Sequence, residues 1–261
     1  MNINHLFEHE IEYFTFAAEI ERASCCTFLW RTDLRNCREV NRSLYIRDDG
    51  SGPDAIARYI RSRFAAERIP CSVEIDLEAE QIGVGAALRR LGILPTIGSR
   101  VLMCAYQPIQ PIARNSPGVT VREVLKDSPD SASQIETWLK VNLHEVDSYE
   151  HPEMWHSMAK LEAMCDRIRL YTAYIGEEPV STATCFSSKG MSRIEMVETR
   201  HEFRRRGAAS EVVRQAVNDA FEAGSELVYL FTDEGGDAAR LYQQLGFAIA
   251  GKNVFRRHIS S

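Results

Sequence analysis

Residues 5–22 put Phe7, Ile11, Phe14 and Ala18 on one helical face, which predicts an amphipathic helix at the start of the chain. Strand-like apolar runs follow at 27–31 and 43–47. Asp48-Asp49-Gly50-Ser51-Gly52-Pro53 reads as a turn, and Pro53 suits the first position of a helix reaching about Arg68. Val73–Leu77 alternates like a strand, 81–91 has helical spacing, and 100–105 is another strand. Residues 107–118 then carry three prolines and end on glycine, a composition that fixes φ and removes donors. A linker is expected there.

The pattern is clearer beyond it. Val119–Val124 is a strand, Ser131–Val141 a helix with a good cap residue, and Pro152 opens a second helix through Met164. Strands are expected at 168–175, 180–187 and 191–199, followed by a helix from Ala208 to Ala223 that ends at Gly224. Leu227–Thr232 is a short apolar strand, Asp237–Leu245 a helix, and 248–258 a last strand or hairpin. This order predicts an α/β protein with parallel strands beside the 208–223 helix. The expected organisation is an accessory α/β domain at 1–110, a linker at 111–117 and a second domain at 118–261.

Composition adds mainly exclusions. With 44% hydrophobic and 26% charged residues, the chain falls among soluble globular proteins. No apolar run approaches the ~20 residues of a membrane helix, and the N-terminus lacks the basic start of a secretory signal. A cytoplasmic, membrane-free protein is expected. The net charge is −6, from 31 basic and 37 acidic residues, and neither part of the chain is basic. Nucleic acid is therefore not an expected partner. None of the seven cysteines has C-x-x-C spacing, so reduced thiols and no metal are expected.

The stretch from Met196 to Val213 carries the chemistry. A strand runs into a turn containing Arg204, Arg205 and Arg206, and the turn opens an amphipathic helix. The first amides of a helix have no internal partners and sit at the positive end of its dipole. Gly207, Ala208 and Ala209 have little or no side chain, so a pyrophosphate can approach those amides. No Gly-Lys-Ser/Thr occurs, which excludes a P-loop. Gly83-Val84-Gly85 hints at a dinucleotide fingerprint, but Leu88 holds the third glycine position and no acidic residue lies between Glu80 and Glu123.

Arg204-x-x-Gly207-x-Ala209 instead resembles the acetyl-CoA signature of the GNAT superfamily of acyl-CoA-dependent N-acyltransferases. Ala238-Ala239-Arg240-Leu241-Tyr242 and Gly246-Phe247 resemble that family's second motif, at the expected separation. Where the family often has asparagine, this chain has Gly235. The resemblance covers roughly 118–258 and implies a GNAT fold, a splayed mixed sheet flanked by helices. It implies acetyl-CoA as cosubstrate, held by Val197, Glu198, Thr199, Arg204, Arg205, Arg206, Gly207, Ala208, Ala209 and Ser210. It also implies direct acetyl transfer to an amine, with Tyr242 as the acid for the departing thiolate and a backbone N–H near Val197 for the oxyanion.

A neutral amine must lose its proton to a base. Glu195 and Glu198 are the candidates. Residues three apart on a regular strand face opposite sides, so at most one of them is expected in the acceptor cleft, and Glu195 is preferred. The acceptor mouth is expected in 142–155, with Glu145, Tyr149 and Trp155 suited to a cationic small-molecule or peptide amine, beside His144, Asp147, Glu150 and His151. Monomer and homodimer both stay open.

Sliding the chain by 154 positions overlays Leu91-Gly92-Ile93 on Leu245-Gly246-Phe247, strand 73–77 on 227–231 and helix 54–68 on 208–222. The first domain then reads as a degenerate GNAT-like half. Leu88 stands for Tyr242, and Gly50–Pro53 for Arg204–Gly207. A non-catalytic CoA-binding sensor or interaction protein with the same fold remains the competing reading.

Overall fold

The computed structural model of the protein describes residues 3–95, 100–111, 118–149 and 151–260. In chain order its elements are α1 (Ile3–Phe14), β1 (Glu19–Arg22), β2 (Thr27–Trp30), β3 (Arg42–Leu44), α2 (Pro53–Glu67), β4 (Ser72–Ile75), α3 (Leu77–Gln81), α4 (Val84–Arg90), β5 (Ile93–Pro95) and β6 (Arg100–Ala105). They continue with β7 (Val119–Glu123), α5 (Ser131–Asn142), α6 (Pro152–Met164), β8 (Ile168–Ile175), β9 (Glu178–Ser188), β10 (Met191–Thr199), α7 (Ala208–Glu222), β11 (Leu227–Asp233), α8 (Asp237–Gln244) and β12 (Ala248–Ser260). None of the helices is long and apolar enough to cross a membrane among the described residues.

The expected helix at 5–22 stops at Phe14. Glu19–Arg22 pairs antiparallel with Thr27–Trp30, and Glu21 accepts from Trp30 Nε1 at 2.8 Å, so cross-strand partners override the helical spacing. The helix expected at 81–91 is α4, Val84–Arg90, and a separate short helix, α3, precedes it. Asp76 caps α3 by accepting from the Ala79 amide at 2.8 Å, and Gly83, at φ 86°, separates the two.

By contacts the chain divides into two units, Met1–Val101 with Gly251–Ser261, and Leu102–Ala250. The division differs from the expected boundary at 111–117, of which 112–117 lie outside the described residues. Strands group by ladder partner rather than by chain position. Residues Arg256–Ile259 of β12 run antiparallel to Ser72–Ile75 of β4, which places the end of the chain in the first unit.

In the first unit the strand order is β1-β2-β3-β4-β12, with β5 on β12. Neighbours β1/β2 and β2/β3 are antiparallel, β3 and β4 parallel, and α2 connects that parallel pair. Ile56, Ile60 and Phe64 of α2 pack with Phe28 and Val73 in a buried cluster. In the second unit the order is β6-β11-β10-β9-β8-β7. Here β8, β9 and β10 are antiparallel, and β10 and β11 form a parallel pair connected by α7. Val212, Val213, Ala216, Val217 and Ala220 form the buried stripe of α7. Both units thus use three antiparallel strands, a crossover helix and a parallel strand, in that order.

The first unit also buries charge. Arg42, fully shielded from solvent, lies 3.4 Å from Glu10, 2.9 Å from Glu39 and 3.1 Å from Glu74. Its guanidinium stacks 4.5 Å above the Phe14 ring, and Tyr45 donates its hydroxyl to Glu10 at 2.5 Å.

Candidate active site

The site begins with an irregularity in β10. Glu195 pairs with Thr184 and Glu198 with Thr182, so β10 spends one more residue than β9 over that interval. Met196 absorbs the bulge at φ 51°. Asn142, at the end of α5, pins it by donating to Thr182 Oγ1 and to the Met196 carbonyl, both at 3.2 Å. Because Thr182 and Thr184 share a face of β9, the bulge brings Glu195 and Glu198 to the same face. The expectation that they face opposite ways fails for that reason. Beside the bulge, the parallel ladder joins Met191–Arg193 to Leu227–Tyr229. Past it, β10 and β11 part among the described residues.

A cleft of about 580 Å³ opens beside the bulged end of β10, between the starts of α7 and α8. Val197, Glu198, Thr199, Arg204, Arg205, Gly207, Ala208, Ala209, Ser210 and Tyr242 all line it, with Asp237 and Arg240 at the start of α8. Gly207 is the residue before α7, at φ 83°, and no side chain caps that helix. The amides of its first turn therefore point into the cleft without protein acceptors, at the positive end of the dipole. Arg206 is outside this lining, and its guanidinium lies 5.2 Å over the Phe203 ring.

Glu195 also lies outside the lining. It is held by Arg193, whose Nε donates to it at 2.8 Å. Glu198 lines the cleft. Burial raises its pKa above the ordinary carboxylate value, while His144 and Arg204 pull it down and Glu145 pushes it up. Tyr242, 7% exposed, packs edge-on against Phe247 with ring centroids 5.8 Å apart. Burial first, then the charges of Glu195 and Glu198, drive its phenol well above its usual value, so it stays protonated at neutral pH.

The expected acceptor segment meets this cleft through one ion pair. Arg204 donates from Nε to the Thr199 carbonyl at 3.1 Å and from Nη2 to Glu145 at 3.0 Å. Tyr149 packs against Trp155 at 6.3 Å, and its pKa is raised by burial and by the charges of Glu198 and Glu145. His156 pairs with Asp147 at 3.2 Å, and Glu150 lies outside the described residues. Among the described residues no group of His, Cys, Asp and Glu could hold a metal ion.

A sequence model described as Acetyltransferase (GNAT) family matches residues 133–247. Those residues form a GNAT-family domain. No curated protein sequence matches the chain. Among solved structures, a GCN5-related N-acetyltransferase from Kribbella flavida is similar at TM-score 0.70 and 18% identity, covering 98% of this chain and 94% of its own. A conserved protein of unknown function from Staphylococcus epidermidis is similar at TM-score 0.66 and 16% identity, over 95% of this chain and 96% of its own. A tandem GNAT protein from the clavulanic acid biosynthesis pathway is similar at TM-score 0.52 and 12% identity, over 79% and 69%. At these identities the likeness is one of fold.

Outside the GNAT domain, the first unit has a corresponding turn before α2, and that turn is chemically different. Asp48 accepts from the Gly50 amide at 2.9 Å, and Asp49 accepts from the Ser51 amide at 3.1 Å and its hydroxyl at 2.6 Å. Ser24 donates to the other Asp49 oxygen at 2.8 Å. These hydrogen bonds hold the Asp49 carboxyl below its ordinary value. The loop's own carboxylates occupy its amides, and Pro53 supplies no N–H at all. Asn142, which fixes the bulge, escaped the sequence reading because its partners lie 40 and 54 residues away.

Proposed function

We propose that the protein is an acetyl-CoA-dependent N-acetyltransferase that passes acetyl directly from the thioester to a primary amine. One observation carries this reading. The uncapped start of α7, the bulged end of β10 and the buried phenol of Tyr242 share a single cleft. The pyrophosphate would rest on the amides of Ala208–Ser210 beside Arg204 and Arg205, and the acyl arm would enter the split between β10 and β11. The acceptor nitrogen attacks the thioester carbon as Glu198 takes its proton. The Val197 N–H steadies the oxyanion, the C–S bond breaks, and Tyr242 protonates the sulfur. Glu198 replaces Glu195 as our choice of base, because Arg193 already holds Glu195. Glu145, Tyr149 and Trp155 would form the acceptor mouth, suited to a cation by its carboxylate and rings.

The first unit, with its self-occupied loop, is read as a degenerate GNAT-like half. Calorimetric titration with acetyl-CoA should therefore give one site per chain. Two sites would refute the degenerate half, and none would refute the acetyltransferase and favour an interaction protein. Binding without thioester consumption across a broad amine panel would favour a non-catalytic sensor.

Tyr242→Phe should lower kcat by about tenfold to a hundredfold at unchanged acetyl-CoA affinity, as loss of an acid does. An unchanged kcat would remove Tyr242 from that role. Since Glu198 works ionised and its pKa is raised, kcat/KM should climb with pH through a midpoint above the ordinary carboxylate range. Glu198→Gln should abolish that limb and cost about a hundredfold or more. A retained limb would assign the base elsewhere.

A further inference from the structure

We propose that Asn142 and Thr182 are positioning residues for acyl transfer, which together aim the Val197 N–H into the cleft as the donor to the oxyanion. The inference rests on the acetyltransferase reading for its role and on the contacts of one peptide unit for its placement. Between Glu195, paired with Thr184, and Glu198, paired with Thr182, β10 carries Met196 and Val197 outside the ladder to β9. Among the described residues the ladder to β11 has already ended at Arg193. Sheet pairing therefore does not set the peptide between Met196 and Val197. Met196, at φ 51°, holds a conformation that a non-glycine residue keeps only where its surroundings impose it.

Side chains set it instead. Asn142 donates from Nδ2 to the Met196 carbonyl, and Thr182 donates from Oγ1 to the same oxygen, both at 3.2 Å. Asn142 also donates to Thr182 Oγ1 at 3.2 Å, which leaves the single hydroxyl hydrogen directed at Met196. These groups close a triangle with a fixed direction, and its donors end on a carbonyl that can only accept. Asn142 is 5% exposed and Thr182 fully buried, so packing holds both donors in place. Just past the bulge, Ser181 Oγ donates to the Glu198 carbonyl at 2.6 Å and locks the strand again.

A peptide unit is planar, and in its trans form the carbonyl and the following N–H point in opposite directions. The unit joining Met196 to Val197 is trans. With its carbonyl drawn toward α5 and β9, its N–H is turned away from both. Val197 lines the cleft, and no residue of α5 or β9 shares that lining, which is completed by the end of β10, the turn after it, α7 and α8. The amide thus faces the side where the acyl group would lie. As the amine nitrogen bonds to the thioester carbon, the carbonyl π pair moves onto oxygen, and it returns when the C–S bond breaks. A donor already aimed at that oxygen needs no reorientation as the charge appears. Asn142 and Thr182 exchange no proton and touch no reacting atom. Each acts through the Met196 carbonyl.

Met196-Val197 is the only Met-Val step in the chain, so carbon-13 in methionine carbonyls and nitrogen-15 in valine isolate this peptide in one NMR correlation. In the full chain without cofactor, the Val197 amide should exchange readily with water in the cleft. Thr182→Val, of nearly equal shape, and Asn142→Leu should move the Met196 carbonyl resonance upfield, as loss of a donor does. Thr182→Ser, which keeps the hydroxyl, should not. An amide strongly protected from exchange, or a carbonyl resonance that both variants leave in place, would overturn the proposal. Acetyl-CoA, but not CoA, should then shift the Val197 amide proton downfield, and equal shifts with both would take the amide off the acyl group. Failure of either ligand to bind would sink the acetyltransferase reading and leave the first readout standing. In turnover, Thr182→Val and Asn142→Leu should each lose about tenfold or more in kcat at unchanged KM for acetyl-CoA, up to the roughly hundredfold to thousandfold cost of a missing oxyanion donor. Thr182→Ser should restore kcat. A loss confined to KM, or one that Thr182→Ser shares in full, would assign the pair a merely structural part.

Discussion

Gly207→Asp should reduce acetyl-CoA affinity by at least about a hundredfold, equivalent to ~2.7 kcal/mol. Position 207 is where the chain turns into α7, at φ 83°. Glycine adopts that conformation without cost, and asparagine and aspartate tolerate it better than other residues. The substitution therefore leaves the turn largely intact while adding a negative charge at the mouth of the amide cradle. A carboxylate there would draw the α7 amides to itself and repel a pyrophosphate. Gly207→Asn separates charge from shape, since the two side chains are nearly isosteric. It should retain much more affinity than the aspartate variant. Calorimetry on both proteins decides the matter, with circular dichroism to confirm folding. Equal affinities for wild type and Gly207→Asp would place the cofactor away from α7 and remove the main support for the proposed function.

The legible parts of this fold were those encoded locally. The start of α7 is visible because glycine followed by two alanines and an apolar stripe can be read within one helix. Tyr242 is visible because its motif lies on a single short helix. Two features resisted. The partner of β12 is β4, well over a hundred residues earlier, and no local pattern says which of two similar sheets a late strand joins. Whether Glu195 and Glu198 share a face depended on one inserted residue. Counting by twos assumes a regular strand, and the bulge at Met196 reverses the outcome for everything beyond it. Its cause lies partly outside the strand, in the buried amide of Asn142. The 154-residue slide found related elements but could not show that the two turns had reached opposite chemistries, one with open amides and one sealed by aspartates.

The sealed half still has a structural task, and its largest single dependence is on Arg42. Arg42→Met should destabilise the protein by about 3–5 kcal/mol at neutral pH, the range for breaking a buried ion pair from one side. The loss comes from what is left behind more than from the contacts removed. Glu10 is fully buried and Glu74 is 2% exposed, and the substitution takes the guanidinium away from both, from Glu10 beside the Tyr45 hydroxyl and from Glu74 beside Arg100 at 3.3 Å. Methionine fills much of the volume and packs well against Phe14, so a cavity contributes little. Thermal unfolding should fall by more than about 10 °C, given ~4–8 °C per kcal/mol for a unit of this size. The deficit should shrink as the pH is lowered, because the orphaned carboxylates can then take up protons and become neutral, a route the unfolded chain does not need. Arg42→Lys should recover only part of the loss, since one ammonium cannot replace a planar fork that reaches Glu10, Glu39 and Glu74 together. A loss below about 1 kcal/mol in Arg42→Met, or one independent of pH, would mean that water or rearrangement compensates these carboxylates and that the cluster is not what holds the first unit together.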